Sequence, residues 1–169
     1  MSDSLASSDC IKSYHLTGIG TKSRIELFTN TGHVLQTDVP KKMGGTNTAP
    51  QPVETLLAAL LGCTQATAVY VGRHMEPRVL VERLEFDVTA YRDERGALDL
   101  PISRRPSIPA RLQSVEGTVT VYLKNKNEQL SSEEIHLLAE QTEARCPVAN
   151  MMAASGCKML IQWKVEGSQ

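Results

Sequence analysis

The chain has 169 residues, of which 41% are hydrophobic, with 18 Lys plus Arg against 19 Asp plus Glu and a formal net charge of −1. A chain of this length supports one domain that buries roughly 70% of the surface it exposes when unfolded, so neither disulfides nor a structural metal are needed for folding. Near-neutral charge creates no field that gathers polyanions, which argues against nucleic acid and membrane as partners and leaves a small molecule or another protein.

Residues 1 to 10 are rich in Ser and Asp and read as a flexible tail, with a single domain from residue 11 to 169. No basic segment precedes an apolar stretch near the N-terminus, so no secretory signal is legible and a cytoplasmic location is expected. Arg24 to Phe28 and His33 to Val39 flank Asn30-Thr31-Gly32, which predicts a hairpin. Residues 41 to 52 hold two Gly and two Pro and read as a loop.

A long helix is predicted from Pro52 to Gly72. Proline suits the first helical position, and Glu54 complements the positive helix end. Val53, Leu56, Leu57, Leu60, Leu61 and Thr64 follow the i, i+3, i+4, i+7 rule, while Cys63, Ala66, Thr67 and Tyr70 carry apolar character round the cylinder. Such a helix needs covering on several sides, which points to a dimer. Glu54, Gln65 and three threonines within it read against a membrane span.

Leu84, Phe86, Val88 and Ala90 alternate with polar residues up to a turn at 93 to 96, and Val119, Val121 and Leu123 alternate likewise. Between them, residues 100 to 109 contain three prolines and read as a surface loop. Ser131 and Glu134 form a capping box that opens a helix ending at Arg145. Pro147 disfavours helical geometry at Cys146, which therefore sits at the threshold of a further helix from Val148 to Ser155. Met159, Ile161, Trp163 and Val165 alternate as a closing strand. The order of elements gives an α+β class with a largely antiparallel sheet.

Four cysteines in a chain with an adequate core argue against a disulfide framework, and the histidine spacings suggest no metal site. Cys63, in the middle of the long helix among leucines, reads either as packing or as thiol chemistry assisted by a cation from elsewhere. Cys146 reads either as a polar cap or as a thiol whose pKa is lowered by a helix N-terminus and Arg145. Two cysteines in contrasting settings suggest a peroxidatic and resolving pair. Cys10 and Cys157 are unattractive for catalysis.

The run from Gly44-Gly45-Thr46-Asn47-Thr48 through Pro50-Gln51-Pro52-Val53-Glu54 to Leu60-Leu61-Gly62-Cys63, with Arg145-Cys146-Pro147-Val148 some eighty residues later, resembles the OsmC/Ohr family of osmotically inducible and organic hydroperoxide resistance proteins. The resemblance extends over nearly the whole chain and is nearest to the OsmC-like branch. It implies an intertwined homodimer in which largely antiparallel sheets wrap two long central helices, with active sites at the interface. It further implies that Cys63 attacks an organic hydroperoxide, that Cys146 closes a disulfide with it, and that a dithiol such as dihydrolipoamide, free or on a lipoylated protein, reopens it. No metal, flavin or other cofactor is required.

The family's characterised peroxidases carry a Glu directly after the helix-opening proline, paired with an Arg that holds the thiolate. Here that position is Val53. Glu54 lies nine residues before Cys63, on the opposite side of the helix and about 13 Å along its axis, so it reads as a first-turn stabiliser. Arg24, Lys41 and Lys42 are the candidate cations. The alternative to a peroxidase is a non-catalytic dimer that binds a small hydrophobic ligand or acts as a redox-sensitive interaction protein.

Overall fold

Gly32, with a left-handed φ of 84°, closes the predicted hairpin between β2 (Arg24–Thr29) and β3 (Val34–Thr37), which pair antiparallel. The computed structural model, which describes residues 10–125 and 129–166, adds β1 (Leu16–Thr21), paired antiparallel with β2 along its whole length. All six residues of β1 are exposed, so it carries none of the inward and outward alternation by which a strand is read from sequence. Of the tail expected at 1 to 10, only Cys10 falls within the described residues, and it is exposed.

One carboxylate organises the loop that follows β3. Asp38 is 0% exposed and accepts hydrogen bonds from the backbone N–H of Val39, Thr46 and Thr48 and from the hydroxyls of Ser23, Thr46 and Thr48. The Thr46 hydroxyl, at 2.6 Å, is the main reason its carboxyl sits far below the usual carboxylate range; burial opposes the shift, and the hydroxyl and the backbone donors together outweigh it. A side chain at Gly45 would overlap the Val39 carbonyl, which explains why a glycine stands there.

The chain divides into two compact units, residues 1–56 and 57–169. Helix α1 (Pro52–His74) opens with Pro52 in its first position, and Glu54 accepts the Gln51 N–H at 2.8 Å, the stabilising role its position suggests. In the second unit, β4 (Val81–Arg92) runs into the one-turn helix α2 (Arg95–Leu98), where the sequence suggests a turn, and β5 (Leu112–Leu123) returns antiparallel to β4. The last strand, β6 (Lys158–Val165), lies parallel to β5, giving the order β4-β5-β6. A parallel return needs a long crossover, and α3 (Ser132–Arg145) with α4 (Pro147–Ala154) supplies it. The capping box is present in both directions: Ser131 Oγ accepts the Glu134 N–H and Glu134 accepts the Ser131 N–H. The fold is α+β, with antiparallel pairing everywhere except between β5 and β6.

Ala68 and Val71 of α1, with Met75 just beyond it, pack against Leu84, Val119, Val121, Leu123 and Leu138 to form the core. By length and composition α1 could cross a membrane, so its polar residues do not exclude a span, as the sequence reading supposed; its packing on this core is what gives it a place inside a globular unit. Elsewhere on the helix Leu60 is buried, whereas Leu56 and Tyr70 are 43% and 58% exposed.

Asp38→Asn is expected to lower the melting temperature by several degrees at neutral pH, because an amide cannot accept at both oxygens. A carboxyl with a depressed folded pKa contributes stability above its ordinary value of 3.8 and loses it as pH falls through the folded value. The variant should therefore lose less stability than the parent below pH 3.8, as read by thermal denaturation across that range.

Candidate active site

Pro147 excludes helical geometry from the residue before it, and Cys146 takes an extended conformation with φ −79° and ψ 112°. It thus ends α3 and begins α4. Its N–H donates to the Thr142 carbonyl at 2.9 Å, its carbonyl accepts the Asn150 N–H at 2.9 Å, and its Sγ accepts the Ala149 N–H at 3.4 Å. The side chain is 0% exposed.

The partner across this junction is Cys63, which lies mid-way along α1 and is half-buried. The Cys63 side chain lies near enough to the Cys146 thiol to raise its pKa, and both residues are free thiols. The fold therefore brings together the two residues that the sequence singles out. Cys10 is exposed, and Cys157 is buried after the turn that follows α4. Gly62 has open space at the position a side chain would occupy, so the α1 surface beside Cys63 is accessible among the described residues.

The electrostatics of Cys146 differ from the sequence expectation. Burial raises its pKa most, and the neighbouring Cys63 thiol raises it further, while the N–H groups of Ala149 and Val148 pull it down without prevailing. Arg145 is exposed and its guanidinium donates to the Gln141 side chain. The helix N-terminus acts as the sequence implies, but apolar surroundings outweigh it. Burial likewise pushes the Cys157 thiol up, with Arg111 partly offsetting it.

Of the candidate cations, Arg24 donates to Gln36 at 3.0 Å, and Lys41 and Lys42 lie exposed in a 3-10 turn; all three belong to the unit 1–56. Beside the thiol pair is a cavity of about 240 Å³, walled in part by Leu60, Leu61 and Thr64 from α1 and by Thr142 and Ala149. In the sequence Thr142 only shares a helix face with Ile135 and Leu138; its place on a cavity wall depends on α1 and the sheet, which periodicity does not locate. Among the described residues no cluster of His, Cys, Asp and Glu could hold a metal ion.

The sequence profile of the family described as OsmC-like protein matches residues 45–161. The chain belongs to the OsmC-like family. Its fold is similar to that of an OsmC-like protein from Mycoplasma pneumoniae, with 20% identity, a TM-score of 0.67, and coverage of 91% of this chain and 97% of that one. It is also similar to an organic hydroperoxide resistance protein OsmC from Legionella pneumophila, with 15% identity, a TM-score of 0.62, and 92% and 98% coverage. OhrB of Bacillus subtilis, an organic hydroperoxide resistance protein, has 15% identity, a TM-score of 0.56, and 90% and 98% coverage. No curated protein matches the sequence.

In this OsmC-like protein the contrast between the two thiols is directly measurable. Brief alkylation of the folded protein at neutral pH should modify Cys10 and Cys63 before Cys146 and Cys157, with Cys146 labelling rising only above its ordinary pKa of 9.0. Peptide mass spectrometry reads the order; equal rates for Cys63 and Cys146 would contradict the assignment.

Proposed function

We propose that this OsmC-like protein is a thiol-dependent peroxidase that reduces organic hydroperoxides to alcohols, with Cys63 as the attacking thiol and Cys146 as the resolving one. The observation that carries the reading is the nearness of two free thiols, the half-buried Cys63 and the buried Cys146, the first close enough to shift the pKa of the second. The Cys63 thiolate attacks the terminal oxygen of the hydroperoxide, the O–O bond breaks, and the alkoxide takes up a proton and leaves as the alcohol. Cys63 becomes a sulfenic acid. The Cys146 sulfur then attacks the Cys63 sulfur, water leaves, and the disulfide forms. An external dithiol such as dihydrolipoamide, free or on a lipoylated protein, reduces it and is itself oxidised to a disulfide.

Several features support this cycle. A resolving thiol with a raised pKa stays protonated until it is needed, leaving the accessible thiol to react first. Leu60 and Leu61 beside Cys63 favour bulky organic peroxides over hydrogen peroxide. The uncovered apolar residues of α1, including Leu56 and Tyr70, support a homodimer whose interface completes the active sites. The cytoplasm, where dithiols are kept reduced, is the compartment in which the cycle closes. Val53, in place of the family's Glu, favours a second reading in which the dimer binds a ligand or partner without turnover and the disulfide serves as a redox switch.

Cumene hydroperoxide consumption with dihydrolipoamide as reductant separates the two. On the first reading Cys63→Ser abolishes turnover to the uncatalysed background, while Cys146→Ser consumes one equivalent of peroxide and leaves a Cys63 sulfenic acid that dimedone traps. The parent should yield a linked Cys63 and Cys146 peptide by mass spectrometry and a dimer mass by light scattering. A folded dimer with no turnover and no linked peptide would leave the second reading standing.

A further inference from the structure

The cavity beside the thiol pair has its own chemistry. Leu60, Phe86, Val119, Ile161 and Trp163 give it apolar walls, and its volume is about 240 Å³. An apolar cavity of about 150 Å³ already holds benzene, so this one has room for an aromatic ring with a short substituent. Thr142, also on the wall, is 1% exposed, and its Oγ1 has no hydrogen-bond partner among the described residues. A buried hydroxyl is seldom left in that state, because the desolvation it suffers is not offset.

The rim decides the charge class. His136, Glu140 and Glu143 lie at i, i+4 and i+7 on one face of α3 and line the cavity, and the described lining residues include no Lys or Arg. A carboxylate entering here would meet two like charges without a counterion, whereas an ammonium or a neutral polar group would not. We propose that this cavity is a binding site for a small aromatic or short alkyl molecule bearing a hydroxyl or an amine, hydrogen-bonded by Thr142, and that it excludes carboxylates. Neither Cys63 nor Cys146 is among the described lining residues, so binding here is measurable separately from peroxide turnover.

Trp163 is the only tryptophan in the chain and lines the cavity, so its fluorescence reports occupancy. The probes are 2-phenylethanol, 2-phenylethylamine and phenylacetate, titrated into the parent and into Cys63→Ser, in which the attacking thiol is absent. Saturable fluorescence changes are expected with the alcohol and the amine in both proteins, with phenylacetate at least ~10-fold weaker. Thr142→Val should weaken alcohol binding by roughly tenfold while leaving the melting temperature unchanged or raised, since its hydroxyl has no hydrogen bond to lose. Glu140→Gln with Glu143→Gln, both at exposed positions, should narrow the gap between amine and phenylacetate. No saturable change with any probe, equal affinity for all three, or a gap unmoved by the glutamine pair would overturn the proposal. Binding in Cys63→Ser without peroxidase activity in the parent would uphold it while removing the peroxidase reading.

Discussion

Pro147 is the constraint on which the site depends. With no N–H to donate and a ring that clashes with helical geometry in the preceding residue, it divides what would otherwise be one helix into α3 and α4 and leaves Cys146 at the break. The break lets Cys146 serve two helices at once, closing α3 through Thr142 and opening α4 through Ala149. It also leaves the thiol buried and near Cys63 of α1. Removing the proline would allow α3 to continue, and the two sulfurs would have no reason to meet.

Two fully buried ionisable groups show how the same burial produces opposite results. Asp38 and Cys146 are both 0% exposed. Asp38 is enclosed by three backbone N–H groups and three hydroxyls, and these donors hold it ionised in spite of desolvation. Cys146 is offered only weak donors at the start of α4 and lies near another thiol, so desolvation prevails and its pKa is raised. Asp38 thereby anchors the loop around Gly45, while the Cys146 thiol resists ionisation. Donor count, and not depth, separates a structural charge from a neutral reactive group.

Helix α1 links these properties to assembly. Its inner face supplies Ala68 and Val71 to the core, Cys63 to the thiol pair and Leu60 to the cavity, while Leu56 and Tyr70 remain largely uncovered.

Much of this was legible in the residue order. The hairpin at Gly32, the proline-led start of α1, the capping box at Ser131 and the break at Cys146 all rest on local rules involving a few neighbouring residues, and each is present. The two cysteines could be singled out by setting and by family resemblance. Strand β1 was not legible, because a strand exposed along its length leaves no alternating pattern, and the parallel placement of β6 was not, because alternation does not encode direction. Whether the Cys146 thiol gains or loses its proton depended on apolar groups brought in from distant segments, and so did the unsatisfied hydroxyl of Thr142 and the cavity it lines. Backbone preferences act over a few residues and can be read in order along a chain; desolvation, hydrogen-bond satisfaction and the meeting of two sulfurs depend on distances through space, which only the tertiary structure decided.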